Sequence, residues 1–158
     1  MLKEKQNERR TKTIEILQHI STQLTANALN HQIMSRVFAS QGFTKLAEKY
    51  AEHGTSELDF IAQFHNRILD LDGEIRQDEI PAHQIFSDIE DFLAYDLKAP
   101  QDGLPIIEEV LNTGYLDITS YDLIKEYYKD EEEDLNWTKS QIDLIQAVGK
   151  QVYLAKML

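Results

Sequence analysis

The 158-residue sequence is 42% hydrophobic and 28% charged, a balance that suits one globular domain with a real core and excludes a disordered chain. Its formal net charge is −12, with no basic stretch beyond Arg9, Arg10 and Lys12, which argues against nucleic-acid binding. No run approaches the ~18 apolar residues of a membrane span, and no cysteine is available for thiolate or disulfide chemistry.

The acidity fits cations, basic partners or simple solubility. The charged segment Met1 to Lys12 has no apolar run behind it and does not read as a secretory signal, so a cytoplasmic location is expected. Six glycines and three prolines suit a few long helices. The first is expected from about Thr11 to Gln41, because Ile14, Leu17, Leu24, Ala28, His31 and Phe38 recur at helical spacing. Gly42 is a natural terminator. The second, about Thr44 to Leu71, carries Tyr50, Gly54, Glu57, Ile61, Phe64 and Ile68 on one stripe and ends at Asp72-Gly73.

A long polar connection containing Pro81 follows. Ser87 with Glu90 forms a capping-box pattern that opens a third helix through Ile89, Phe92, Leu93 and Leu97. Pro100, Gly103 and Pro105 predict a break or sharp kink near residues 99–105, since an interior proline costs about 3 kcal/mol. Helical periodicity resumes at Ile106, Ile107, Val110 and Leu111. After a turn at 112–114, Thr119 with Asp122 suggests the cap of a fourth helix, whose stripe holds Ile124, Tyr127, Glu131, Asp134, Thr138, Ile142 and Ile145. Gly149 should end it, leaving a short fifth helix.

The pattern is all-α: one domain over residues 1–158, with residues 1–10 a charged N-terminal extension. Four long amphipathic helices, a long connection between the second and third, and a short C-terminal helix describe a ferritin-like four-helix bundle. Three carboxylates interrupt otherwise apolar stripes: Glu57, Glu131 and Asp134. A buried carboxylate is costly unless paired, hydrogen-bonded or bound to metal. Glu131 and Asp134 share a helix face. The residues alone leave open a metal site and a solvated bundle edge, because Asp130 to Asp134 is also a charge run. His31 faces inward, as a core histidine or a ligand. His19, His53, His65 and His83 lack an i, i+4 histidine partner. No phosphate loop, nucleophile elbow or catalytic triad is present, and no catalytic residue is assigned.

The run from Lys129 to Leu154 resembles the C-terminal end of a bacterioferritin: an acidic core, then Trp137, the segment Ile142 to Gln146, Gly149, and Gln151, Tyr153 and Leu154. Gly42 to Gly73 resembles that family's second helix without a gap, and Thr11 to Leu17 the start of its first. The likeness covers residues 11 to about 155, with a small deletion inferred after the third helix. It implies a di-iron site drawn from all four helices. At the matching positions this sequence keeps Glu57 and Glu131, the bridging pair, and has Leu24, Phe60, Pro100 and Asp134 elsewhere. His31 falls where the family has a tyrosine beside the centre.

The resemblance therefore implies a metal set of Glu57, Glu131, Asp134 and His31, holding iron or another divalent metal weakly. Partly protonated carboxylates without metal are the alternative. The haem-ligand methionine of the family is replaced by Leu58, so no haem is expected. The function implied is a shell subunit associated with iron storage, its ferroxidase impaired or absent. It would form homo-oligomers, as dimers or a ferritin-type cage, and could co-assemble with a complete bacterioferritin subunit; no nucleic-acid or membrane partner is expected. Two alternatives stand beside it: a ferritin-fold interaction protein that no longer handles iron, and an oxidase with a remodelled centre using His31.

Overall fold

A computed structural model describes residues 1–158 and contains five α-helices and no strand: α1 (Leu2–Ser40), α2 (Thr44–Asp70), α3 (Ile89–Asn112), α4 (Ile118–Val148) and α5 (Lys150–Ala155). At about 1.5 Å per residue, α1 is roughly 58 Å long. It packs along α2, α3 packs along α4, and α5 folds back on α4. None of the helices is long and apolar enough to cross a membrane.

The charged N-terminal residues continue α1 as an exposed helical overhang instead of preceding it. The helix ends follow the glycines. Gly42 and Gly149 adopt φ of +87° and +85°, a region that L side chains enter only with strain. Both N-caps differ from the expected residues. Asp88, not Ser87, caps α3 by accepting from the Asp91 amide at 3.1 Å. Asp117, not Thr119, caps α4, accepting from the amide and the hydroxyl of Ser120 at 2.9 and 2.7 Å. In each case a carboxylate does the capping, and its charge complements the positive end of the helix dipole.

The expected break at residues 99–105 does not occur: α3 runs through Pro100 and Pro105 without interruption. Each proline lacks the amide that would close a turn, but burial fixes the axis on both sides. Phe92 and Leu93 are buried before the prolines, and Leu104, Ile107 and Val110 after them. Side chains worth about 1.5–3 kcal/mol each on burial outweigh the local loss.

The connection at residues 71–88 has no regular structure and is held by side-chain amides of α1. Gln18 donates to the Arg76 carbonyl at 2.8 Å and accepts from the Arg76 amide at 2.9 Å. Asn30 donates to the Gln84 carbonyl and Gln41 to that of Ser87, at 3.2 and 2.7 Å. Buried Gln18 and Asn30 are thereby satisfied, and the strap lies across the bundle without a strand partner.

Two separate apolar clusters make the core. One gathers Leu17, Ile20, Leu24 and Ala28 of α1 with Ile61, Phe64 and Ile68 of α2, Ile107 and Val110 of α3, and Ile124 and Tyr127 of α4. The other gathers Met34 and Phe38, Leu46 and Tyr50, Ile89, Phe92 and Leu93, Ile145 and Tyr153. Every long helix passes from one cluster to the other through polar residues: His31 in α1, His53 and Glu57 in α2, Asp96 in α3, and Glu131, Asp134 and Thr138 in α4. The bundle thus has a polar layer across its middle. α1 and α2 approach closely there, because a Cβ on Gly54 would lie 2.9 Å from Gln32 Cγ and 3.3 Å from the Ala28 carbonyl.

Candidate functional site

The polar layer is built from helix register. His53 and Glu57 are four apart on α2, and Glu131 and Asp134 three apart on α4, so each pair shares a face. Asp96 is seven residues beyond Ile89 on the buried stripe of α3. His31 lies three residues past Ala28 and three before Met34, both core residues of α1.

His31 is the centre of a clamp. Its Nδ1 is in close hydrogen-bonding contact with Glu57 Oε1, and its Nε2 lies 2.7 Å from Asp96 Oδ1. Burial by itself disfavours an imidazolium, but two flanking carboxylates override it and hold the His31 pKa well above its ordinary value. Both ring nitrogens are taken up by carboxylates, which fixes the ring. Burial pushes Glu57 up, and the His31 charge pulls it part of the way back.

His53 has the opposite character. It is buried, stacks edge-on against Trp137 with centroids 5.3 Å apart, and meets Tyr50 at 5.4 Å. Burial, then the charges of His31 and Lys49, lower its pKa to about 4, so it is neutral at physiological pH. Its Nε2 has no hydrogen-bond partner and lies 3.6 Å from Asp134 Oδ1. Glu57 Oε2 is likewise buried without a partner. Two orphaned polar atoms in one layer are unusual, because buried polar groups are nearly always satisfied.

On α4, burial and the neighbouring Glu57 and Asp134 charges hold Glu131 well above the carboxylate range. Asp134 is raised to about 7, chiefly by burial, then by Asp130 and Glu57. A cavity of about 20 Å³ lies among these groups, lined by His31, His53, Glu57, Asp96, Glu131 and Asp134. That is room for one water or one ion. A larger, mainly apolar cavity of about 350 Å³ adjoins it, the two sharing Asn27, Ala99, Pro100 and Glu131.

The sequence-derived set Glu57, Glu131, Asp134 and His31 thus lies in one layer, lining a common cavity. His53 and Asp96 complete that layer and were not among the residues singled out from sequence. The signals existed: His53 is one turn from Glu57, and Asp96 continues the stripe of Ile89, Phe92 and Leu93. As the side chains stand, no three imidazole or carboxylate groups converge in metal-binding geometry.

Of the four positions where the resemblance implies further iron ligands, only Asp134 holds a donor. Leu24 is fully buried in the first apolar cluster. Phe60 packs at the edge of the same cluster, 5.6 Å from the Tyr127 ring and 6.2 Å from that of Phe64. Pro100 lines the cavity wall without a polar side-chain atom. The residues present do not fit a two-iron centre. Leu58, at the haem-methionine position, is half exposed on α2.

Residues 14–148 match the family described as Ferritin-like domain. Among similar proteins, a bacterial ferritin of Neisseria meningitidis serogroup A is 30% identical over 134 residues, covering 80% of this chain and 83% of its own length. A bacterioferritin of Mycobacterium bovis is 26% identical over 147 residues, covering 90% and 92% respectively. A bacterioferritin of Streptomyces coelicolor is 24% identical over 150 residues, covering 91% and 89%.

Proposed function

The chain belongs to the ferritin-like domain family, and from that premise we propose that it is a subunit of a homo-oligomeric, bacterioferritin-like shell associated with iron storage, whose own ferroxidase activity is impaired or absent. The observation that carries the second half is the apolar filling at the expected ligand positions. Fast iron oxidation needs two Fe²⁺ held ~3.5–4 Å apart with open positions for oxygen. Leu24, Phe60 and Pro100 offer no donor atom, and Leu24 and Phe60 belong to the apolar cluster on one side of the polar layer. His31, the histidine expected from sequence to serve a remodelled oxidase, has both ring nitrogens engaged by carboxylates. A shell role asks less of the interior: the acidic chain supplies charge for ferric iron formed elsewhere, including by a catalytically complete partner subunit.

The test combines particle mass with stopped-flow absorbance after adding two Fe²⁺ per subunit in air. We expect a multimeric particle whose iron oxidation is little faster than buffer. A rapid phase saturating at that ratio and lost in Glu57→Ala would overturn the catalytic half. A monomer or dimer that takes up no iron would favour an interaction protein on the same fold.

The haem reading is part of the same proposal. Leu58 has no donor atom, and its half-exposed side chain is available for a plain subunit contact. Protein grown with ample haem should show no stoichiometric Soret band; a band at one haem per two chains would contradict this.

A further inference from the structure

We propose that the cavity between α1 and α3 binds a small neutral aromatic molecule of one or two fused rings, whose single N–H or O–H donates to Glu131 at the inner end. The void follows from the sequence. Pro100, Gly103 and Ile107 recur at helical spacing on α3 and line one wall, while Ile16, Ile20 and Asn27 of α1 line the other. Glycine stands at the middle of the α3 stripe, where a Cβ would meet nothing within 4 Å. With no side chain there to cross the gap, about 350 Å³ stays open. A cavity of about 150 Å³ already holds a benzene ring, so this one has room for two fused rings.

The lining grades from polar to apolar. Its rim carries the exposed His19, Gln23 and Asp102, while Ile20, Leu104 and Tyr127 inside are buried. Mainly apolar walls with a few polar groups are the usual form of a small-molecule site. The inner end reaches the polar layer, where Asn27 and Glu131 also border the 20 Å³ cavity. No lysine or arginine lines the space, and its two carboxyl side chains, Asp102 and Glu131, offer an anion no counter-charge. An ammonium group would lose its hydration against apolar walls. A neutral molecule escapes both penalties. A slot between two helices suits a flat ring, and the Glu131 oxygens accept from an N–H or O–H whether or not the carboxyl carries a proton.

The inference is independent of the shell reading, because it concerns space inside one bundle. Isothermal titration calorimetry of the purified protein uses indole as the probe. Its analogue 1-methylindole lacks the donor, and indole-3-acetate and tryptamine carry opposite charges. We expect one indole per chain with a dissociation constant below about 1 mM. Loss of the donor should weaken 1-methylindole by about tenfold, the worth of one hydrogen bond, and Glu131→Leu should erase that difference. Indole-3-acetate and tryptamine should each bind at least about tenfold more weakly than indole, because their charges are stripped of water. Gly103 lies in ordinary helical backbone with open space at its Cβ, so Gly103→Phe should fold normally by circular dichroism. By filling the slot it should weaken indole at least about tenfold. Ala99→Trp, at the exposed rim, is a second occluding variant if the first fails to fold. No saturable indole binding, or binding that a folded occluding variant leaves intact, would overturn the proposal. So would 1-methylindole, indole-3-acetate or tryptamine binding as tightly as indole.

Discussion

Replacing His31 by Leu should destabilise the protein by about 3–5 kcal/mol at pH 7.5, the usual cost of removing one partner from a buried ionic group. The native imidazolium faces Glu57 on one side and Asp96 on the other, and both carboxylates lie inside the bundle. Leucine fills the volume but leaves two carboxylates either charged without a counter-ion or forced to take up protons. For a domain of this size the melting temperature should fall by roughly 10 °C or more. The loss should be smaller at pH 5, where the stranded carboxylates protonate more readily. Combining His31→Leu with Glu57→Gln and Asp96→Asn should recover much of the stability, because the burden lies in the uncompensated charge. A loss below about 1 kcal/mol at pH 7.5, read by chemical denaturation, would show that the clamp is not ionic.

Stability of the metal-free protein should rise, not fall, between pH 8 and pH 5. Asp134 is raised to about 7 from an ordinary 3.8. A group whose folded pKa is raised binds its proton more tightly when folded; the stabilisation is complete below the unfolded value and is lost as pH climbs through the folded one. Glu131 and Glu57 are raised in the same direction by burial, and His31 is held up by Asp96 and Glu57, so these four contributions share one sign and together outweigh His53, whose pKa, lowered from 6.5 to about 4, makes it cost stability as pH falls below its unfolded value. The groups around Asp134 that set its value are Asp130 and Glu57, which raise it, and His31 and Lys49, which lower it. At about 1.36 kcal/mol per unit, discounted for partial exposure of Asp134, that residue alone should give about 2 kcal/mol between pH 8 and 5. Below about pH 4 the trend should reverse, because Glu15, Asp88 and Asp117 are held low by partners that protonation would cost them: Arg76 and Lys150 for the first two, Ser120 and Arg67 for the third. Thermal melts in chelator at 1-unit steps test this. A melting temperature that is flat or increases from pH 5 to 8 would count against a protonated polar layer.

Local chemistry made most of the fold legible. The recurrence of apolar residues every three or four positions marks the four long helices, and Gly42 and Gly149 stop two of them because the left-handed backbone suits glycine alone without strain. Glu57, Glu131 and Asp134 could be singled out for the same reason, as charges standing where the period demands apolar side chains. Other features depended on what packs against what. Pro100 and Pro105 are breakers by local rule, and only the burial of side chains on both sides of them keeps α3 in one piece. Asp88 and Asp117 cap their helices through local amides, and only the fold brings Lys150 and Arg67 from distant segments onto the same carboxylates. His31 and Asp96 are 65 residues apart in sequence, and no periodicity within one helix could report that an imidazole of α1 would be clamped by carboxylates of α2 and α3. The neutrality of His53 likewise comes from burial against Trp137 and from the nearby His31 charge, neither of which is a local property. Periodicity along the chain sets where the helices run and which residues interrupt their apolar faces. The tertiary structure alone decided which of those interruptions meet and which proton states they adopt, because pairing and burial are set by side chains arriving from separate helices.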